Sequence, residues 1–173
     1  VIVAVARERR APLLMAEQSA AIARRSVDAS GQKVAVETDR AAYGTMKLPL
    51  PGKCQLDNLA VAVLLAELAA DRLAVDLDPG TVRKGVQGVQ WPGRFHLWRQ
   101  DPRVILDGAH NPGAAEALAL SCRDALGRVP LGLVVGMCGD KDVEHFLAPL
   151  ASLARRLWIV PVPNERNMAP ERI

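Results

Sequence analysis

Asp107 and His110 are the residues whose type and spacing first suggest chemistry. They lie in the stretch VILDGAHNPGAAEALAL, residues 104–120, between a run of branched apolar residues and an alanine-rich helical pattern. A carboxylate at the end of a buried strand needs a partner or a ligand. An imidazole beside a helix N-terminus lies where the helix dipole disfavours its protonation and attracts anions. Two interpretations follow, a ligand-binding site or an Asp–His pair that satisfies itself.

Asn111 and Pro112 have a sufficient structural explanation. Asparagine is a favoured N-cap, because its side-chain oxygen accepts a hydrogen bond from a free N–H of the first helical turn. Proline suits the first helical position, where its fixed φ is already helical. The predicted turn therefore accounts for these two residues but requires neither Asp107 nor His110.

The second part of the chain alternates between strand and helix patterns. Strands are predicted in RVIL, LGLVVGM and LWIVPV, and helices in PGAAEALALSCRDAL, which ends at Gly127, and in DVEHFLAPLASLARR. Such alternation is typical of a parallel sheet with right-handed crossovers. The loops after the strands then meet at one edge, where open α/β sheets bind ligands. These loops carry a dense polar set: Asp107, His110, Asp140, Lys141, Asp142, Asn164 and Arg166.

The tetrapeptide GDKD, residues 139–142, also allows two interpretations. It is a solvated turn in which Asp142 caps the following helix, or it is part of the ligand-binding edge. Its position after a predicted strand keeps the second interpretation open.

The first part of the chain has a mixed pattern. VIVAVARERRA predicts the end of a helix, PLLMAE a short buried strand, and KVAVETD with YGTMKLPL a hairpin or meander. After a turn at Pro51-Gly52, the apolar residues from Leu59 to Leu68 predict a helix that is buried on nearly all sides. A further helix is predicted to start with Asp78 as N-cap and Pro79 as its first residue. Trp91-Pro92-Gly93 interrupts the pattern and marks a domain boundary.

Composition and charge argue against several classes of protein. The 22 basic and 19 acidic residues leave a net charge of only +3, and the basic residues are dispersed, which disfavours a nucleic-acid surface. The apolar stretch Leu59–Leu65 is too short to span a bilayer, and no signal peptide is recognisable. Cys54, Cys122 and Cys138 are widely separated, which predicts reduced thiols. We therefore expect a cytoplasmic protein with no nucleic-acid or membrane partner.

Motifs for nucleotide and metal binding are incomplete in this sequence. GKC at residues 52–54 lacks the spacing and the hydroxyl of a phosphate loop, and no G-x-G-x-x-G follows a strand. His96 and His145 are isolated histidines in apolar surroundings, which predicts structural roles. Without clustered histidines or cysteines, a zinc site is not expected.

Two longer stretches carry a resemblance to a known family. PGRFHLWRQDPRVILDGAHNPGAAEAL closely resembles the start of the C-terminal domain of the folylpolyglutamate synthase/dihydrofolate synthase family, in the Mur ligase superfamily. LPLPGKCQLDNLAVAVLLAEL resembles the helix that closes the central ATPase domain of that family, and VVGMCGDKD resembles its next C-terminal strand and loop. The resemblance covers residues 46–166, and its specific element is PGR followed about 13 residues later by DGAHNP.

The resemblance implies an α/β fold with two parts. Residues 1–91 correspond to the C-terminal part of a central ATP-binding domain. Residues 92–173 correspond to an incomplete Rossmann-like domain with a mostly parallel sheet.

The activity implied by the resemblance is ATP-dependent ligation of a carboxylate to an amine. ATP phosphorylates the carboxylate of dihydropteroate or of a folate that already carries glutamate, and the amino group of L-glutamate attacks the acyl phosphate. Both steps develop charge, so Mg²⁺ and cationic side chains are implied as stabilisers. The family also implies a monomer.

Four residues acquire roles through the resemblance. Asn58 matches a residue on the helix that contacts the adenine nucleotide. Arg94 matches an arginine that reaches the ATP phosphates, a task that suits its planar guanidinium. Asp107 matches an aspartate near the nucleotide and the incoming amine, and His110 matches the histidine beside it at the nucleotide and glutamate site. Asp107 and His110 are the expected catalytic pair, and the cleft between the two domains is the expected active site.

Departures from the family pattern lead to a further expectation. Cys54 stands where the family often has histidine. The sequence contains no glycine-rich phosphate loop, no counterpart of the lysine that the family carbamylates, and no glutamate and histidine ligands for magnesium. It also begins without an initiator methionine. We therefore expect a C-terminal piece of a longer ligase that is inactive by itself.

Two alternatives remain open from the sequence. One is another Mur-type ligase that acts on a cell-wall precursor or on cyanophycin, against which the pairing of PGRF with DGAHNP favours folate. The other is a non-catalytic Rossmann-like binding module, which the absence of a phosphate loop favours.

Overall fold

The first part of the chain is a three-stranded meander with helices packed on it. The structure is a computed structural model that describes residues 1–139 and 141–173. The elements of this part are α1 Ile2–Glu8, α2 Ala16–Ser19, β1 Ala20–Asp28, β2 Gly31–Thr38, β3 Ala42–Leu48, α3 Cys54–Leu73 and α4 Pro79–Gln87. The strands are antiparallel in the order β1-β2-β3. The predicted meander is confirmed for β2 and β3, and β1 was not predicted.

Two details of the first part differ from the prediction. The stretch PLLMAE is not a buried strand: Leu13 and Leu14 are exposed, and α2 begins at Ala16. Helix α3 is buried on one face only, through residues such as Leu59 and Val63, while its opposite face is exposed. Apolar residues occur all around this helix, but the meander covers only one side of it. The prediction that the helix is buried on nearly all sides is therefore wrong.

A buried polar group anchors α3 to the meander. Glu67 of α3 is 4% exposed and accepts hydrogen bonds of 2.6 Å from the hydroxyls of Thr38 and Tyr43. Arg40 donates to the backbone oxygen of Glu67 and forms an ion pair with Asp71. These bonds fix the orientation of the helix on the sheet, because a buried carboxylate requires its donors.

The second part of the chain forms two separate strand pairs. Its elements are β4 His96–Gln100, β5 Arg103–Leu106, α5 Pro112–Leu126, β6 Leu131–Val135, α6 Val143–Ala151 and β7 Ala154–Ile159. Strands β6 and β7 are parallel, and β4 and β5 form an antiparallel hairpin. Helices α5 and α6 pack on each other around a core of Ala115, Ala119, Met137, Phe146 and Leu150.

The α/β class is confirmed, but the predicted three-stranded parallel arrangement is not. The strand RVIL pairs with β4, which was not predicted, instead of joining β6. Only Asp101 and Pro102 separate β4 from β5, so closing this hairpin requires little loop ordering. The helix predicted up to Arg156 ends at Ala151, and β7 begins at Ala154.

The predicted helix caps are confirmed. Asn111 caps α5 by accepting a bond from the Ala114 N–H, and Pro112 is the first helical residue. Asp78 caps α4 in the same way. No helix in the described part of the chain is long and apolar enough to cross a membrane.

Candidate functional site

The segment from Trp91 to Phe95 forms a tight turn ahead of β4. The Arg94 N–H donates to the Trp91 carbonyl oxygen at 3.2 Å, which closes a four-residue turn. Pro92 occupies its second position, and Gly93, with φ of +77°, its third. This is the residue pattern of a type II turn, in which proline presets φ and glycine accepts the positive value.

This turn is hydrogen-bonded to the loop that carries Asp107. The Gly108 N–H donates to the Gly93 carbonyl oxygen at 2.8 Å, and the Phe95 N–H donates to Asp107 Oδ2 at 2.7 Å. An ideal Cβ on Gly108 would lie 3.4 Å from the Gly93 oxygen, so the two segments are in close contact. The two bonds hold the PGRF and DGAH motifs side by side.

Both oxygens of Asp107 bind backbone groups. Oδ2 accepts from Phe95, and Oδ1 accepts from the Ala109 N–H at 2.8 Å. The carboxylate is exposed, so its remaining lone pairs are open to a ligand. Asp107 is therefore an oriented acceptor for a cation or a hydroxyl group.

His110 has a defined tautomer. Its Nδ1 lies 2.9 Å from the Gly108 carbonyl oxygen, which only accepts hydrogen bonds. Nδ1 therefore carries a proton, and in the neutral ring Nε2 is the acceptor. The side chain is exposed. Asp107 and His110 thus bond to backbone groups in the described structure, in contrast to the self-satisfied Asp–His pair that the sequence left open.

The start of α3 lies near the Asp107 loop. Burial raises the pKa of the Cys54 thiol, and repulsion by Asp57 and Asp107 raises it further. Burial and then the Asp107 charge raise the pKa of Cys122, on α5, to about 11. The charge of Asp107 therefore acts on the thiols of both α3 and α5. Neither thiol is activated as a nucleophile, because a raised pKa disfavours the thiolate.

Asn58 follows Cys54 by about one helical turn. It is exposed, and its amide nitrogen donates to Gln55 Oε1 at 3.0 Å. This bond presents the two amides together near the start of α3. Three of the four predicted site residues, Asn58, Asp107 and His110, thus belong to neighbouring segments with exposed polar groups.

Close packing joins the two parts of the chain behind these residues. An ideal Cβ on Gly52, just before α3, would lie 2.5 Å from Ser121 Oγ on α5. Gln32 holds this loop from the other side, where its amide donates to the carbonyl oxygens of Leu50 and Gly52 at 2.8 Å. An ion pair of 2.6 Å between Arg24 and Asp124 adds a second connection.

Arg94 is exposed at the edge of a groove of about 320 Å³. The groove lies between the Trp91–Phe95 turn and the meander, and Ser30 and Leu50 line its other side. Arg94 therefore lies at the connection between the two parts of the chain, and its role toward ATP phosphates stays a prediction.

The loops after β6 and β7 lie against each other. The Gly139 N–H donates to the Arg166 carbonyl oxygen at 2.8 Å, and Cys138 pairs with Asn167 in an isolated bridge. Ala109 packs against the core that contains Met137, which brings the Asp107 loop to the same side. Asp140 lies outside the described residues.

Asp142 has the capping role that the sequence predicted. It is the N-cap of α6, and it also binds the imidazole of His145 at 2.8 Å. His145 is 72% exposed, so the prediction of apolar surroundings is wrong, because the residue lies on the solvent side of the first turn of α6. Asn164 is engaged locally, accepting from the Arg166 N–H at 2.9 Å.

Comparison with known proteins gives these motifs a context. Residues 93–173 match the model of the Mur ligase glutamate ligase domain. The dihydrofolate synthase/folylpolyglutamate synthase of Escherichia coli is 38% identical over 135 residues, 76% of this chain and 30% of the relative. The enzyme of the same name from Mycobacterium tuberculosis is 35% identical over 134 residues, 75% of this chain and 27% of the relative.

A solved structure extends the similarity to the whole chain. Mycobacterium tuberculosis folylpolyglutamate synthase complexed with ADP superposes with a TM-score of 0.83 at 29% identity. The alignment covers 99% of this chain and 38% of that structure. This chain thus spans about a third of the length of the relatives that it matches. It belongs to the folylpolyglutamate synthase/dihydrofolate synthase family of Mur ligases.

Proposed function

We propose that this chain supplies one side of the active site of a ligase that adds L-glutamate to folate or to dihydropteroate at the expense of ATP. The observation that carries the proposal is the coupling of two motifs. The PGRF turn and the DGAH loop are joined by the Gly108–Gly93 and Phe95–Asp107 hydrogen bonds, and they expose Arg94, Asp107 and His110. The relatives bear the names of enzymes with this activity.

The donor set fits a nucleoside triphosphate. Arg94 supplies a planar cation for phosphate oxygens, and the amide of Asn58 supplies the mixed donor and acceptor that an adenine edge requires. Asp107 accepts from a hydroxyl group or from the ammonium of the incoming glutamate. His110 offers its Nε2 lone pair beside the same position. These assignments make Asp107 and His110 the catalytic pair.

The reaction requires charge to be neutralised at two stages. Transfer of the γ-phosphoryl group to the substrate carboxylate forms an acyl phosphate and ADP, and Arg94 balances the negative charge of the phosphates. The glutamate amine must then lose a proton and attack the acyl carbon, so that an amide forms and phosphate leaves. Asp107 orients this amine, and the neutral His110 accepts a proton at Nε2.

Magnesium is assigned no ligand in this chain. No group of three His, Cys, Asp or Glu side chains within residues 1–139 and 141–173 is arranged to hold a metal ion. The Mg²⁺ that accompanies ATP would neutralise phosphate charge, and its protein ligands would come from a part of the ligase that this sequence does not include. We likewise propose that the boundary between the ATP-binding part, residues 1–91, and the glutamate ligase part, residues 92–173, lies in the Trp91–Phe95 turn.

A glutamate-dependent ADP-release assay tests the proposal on the full-length protein that carries this sequence. Tetrahydrofolate and dihydropteroate are offered as separate acceptors, which also distinguishes the two activities. Arg94→Ala is expected to raise KM for ATP by about ten- to a hundredfold, the worth of one charge-assisted contact. Turnover with a cell-wall precursor or cyanophycin primer and with no folate would instead support another Mur-type ligase. An absence of turnover with any acceptor would support a binding module.

A further inference from the structure

We propose that Phe95 is a positioning residue, whose backbone N–H orients the Asp107 carboxylate toward the nucleotide and amine. The inference rests on the proposed function, because Asp107 has a role to be positioned for only in that reaction. Phe95 itself touches no reacting atom and acts through Asp107.

The backbone of Phe95 has an unusual conformation. Its φ is +42°, in the left-handed region that a residue with a Cβ rarely adopts. Such a conformation persists only where its surroundings enforce it, and it is frequent at functional sites. Phe95 is 5% exposed as a whole residue, so burial holds it in place. The sequence before it contributes as well, since Gly93 at φ +77° completes the preceding turn.

The left-handed conformation has a specific result. Phe95 adopts it between the turn and β4, where its N–H lies 2.7 Å from Asp107 Oδ2. Because the Ala109 N–H holds Oδ1 at 2.8 Å, the two donors on opposite oxygens prevent rotation of the carboxylate. Without the Phe95 bond, one oxygen is released and the carboxylate turns about its Cβ–Cγ bond.

The same residue couples Asp107 to Arg94. Arg94 immediately precedes Phe95. The turn that places Arg94 at the site therefore also places the Phe95 N–H that binds the Asp107 carboxylate. The Phe95 N–H therefore sets the relative placement of the phosphate-binding cation and the amine-binding carboxylate. Phe95 combines two properties: its buried side chain anchors the turn, and its backbone N–H is available to bind Asp107.

The contact itself is testable in the 173-residue chain. In an ¹H–¹⁵N spectrum, the Phe95 amide proton is expected downfield, because it donates to a carboxylate. In Asp107→Ala, which removes the acceptor, this resonance is expected to move upfield, while amides of the meander stay unchanged. A Phe95 resonance that does not respond to Asp107→Ala would overturn the inference.

The positioning role requires a variant that removes only the donor. Phenyllactic acid in place of Phe95 turns the Arg94–Phe95 peptide bond into an ester, which keeps the ring and removes the N–H. In the full-length ligase, we expect the ester to lower kcat/KM for ATP and glutamate by about ten- to a hundredfold. Phe95→Leu, which alters the ring but keeps the N–H, is the matched control and is expected to lower kcat/KM by much less than the ester does.

A double-mutant cycle separates positioning from general stabilisation. In an Asp107→Ala background, the ester is expected to weaken binding of a non-hydrolysable ATP analogue by less than about twofold, because the group that it orients is gone. If the ester weakens binding of the analogue by the same factor with Asp107 present and with Asp107→Ala, the positioning role is overturned. If the wild-type ligase is active and the ester variant is equally active, only this inference is rejected. An inactive wild type would reject the proposed function, and the positioning role with it.

Discussion

Gly52 and Ser121 lie in direct contact where the two parts of the chain meet. The Gly52 backbone, with φ of +109°, approaches α5 so closely that an added Cβ would be 2.5 Å from Ser121 Oγ. Ser121 is itself buried and donates its hydroxyl to the Ala117 carbonyl oxygen at 2.7 Å. This contact places the segment just before α3 against α5.

Gly52→Ala is expected to destabilise the protein by about 1–3 kcal/mol, since it adds both a steric overlap and an unfavourable φ. Gly85→Ala is the matched control, because a Cβ added there, in the last turn of α4, would meet no atom within 4 Å apart from the neighbouring backbone of its own helix. That substitution is expected to stabilise by about 0.5–1 kcal/mol. Denaturant unfolding of both variants measures the difference. Equal effects would show that the close contact does not exist in solution.

Asp107→Ala and His110→Ala are expected to lower turnover of the full-length ligase by about a hundredfold or more, the usual effect of losing a group that stabilises developing charge. Their effects on stability should differ. Asp107→Ala leaves two backbone N–H groups without their acceptor and is expected to cost about 1–3 kcal/mol. His110→Ala removes an exposed side chain and should change stability by less than about 0.5 kcal/mol. Loss of the fold in both variants would indicate a structural role instead.

Tyr43 gives a direct spectroscopic test of the buried network. Burial and the bond to Glu67 raise the pKa of its phenol to about 12, and it is the single tyrosine of the chain. Absorbance at alkaline pH should therefore show one titration well above the ordinary value of 10. Because the folded pKa is raised, the protein loses stability as pH rises from about 10 to about 12. Glu67→Gln should move the titration toward 10. A wild-type pKa near 10 would contradict the buried bond.

The pair of Asp142 and His145 predicts a pH dependence at the start of α6. The hydrogen bond between them raises the pKa of His145 and lowers the pKa of Asp142. The stabilisation from His145 is complete below its ordinary pKa and is lost as pH rises through the folded value. The stabilisation from Asp142 is present above its ordinary pKa and is lost as pH falls. Both contributions therefore coexist between about pH 4 and 6.5.

Imidazole NMR titration measures this effect. His145 should titrate above about 6.5, and Asp142→Asn, which keeps a helix-capping side chain, should return it toward that value. If the His145 pKa is unchanged in Asp142→Asn, the carboxylate is not the cause of the shift.

Local sequence patterns predicted the parts of the fold that depend on neighbouring residues. Asn111 with Pro112 and Asp78 with Pro79 form caps whose donors and acceptors lie within three residues, so these helix starts were visible. Strands β1 and β4 were missed because they are largely exposed and lack the alternation of buried apolar and exposed polar residues that predicts a strand.

The candidate site could be predicted only in part, because local patterns reveal the residues but not their distant partners. Asp107 and His110 were identified from their position after a strand, but the partner of Asp107 is a backbone N–H twelve residues away. A backbone donor leaves no signature in the residue type of Phe95. The turn pattern Trp91-Pro92-Gly93-Arg94 was the one available signal, because it predicts a type II turn that reverses the chain next to this residue.

The hairpin of β4 and β5 also bears on how this half of the protein folds. Its strands, and the bond from Phe95 to Asp107, join residues that are close along the chain, whereas pairing β6 with β7 requires the whole α6 crossover. Short loops close faster and at lower entropic cost than long ones. The hairpin therefore has a kinetic advantage, and Asp107 is expected to acquire its orientation before β6 and β7 pair.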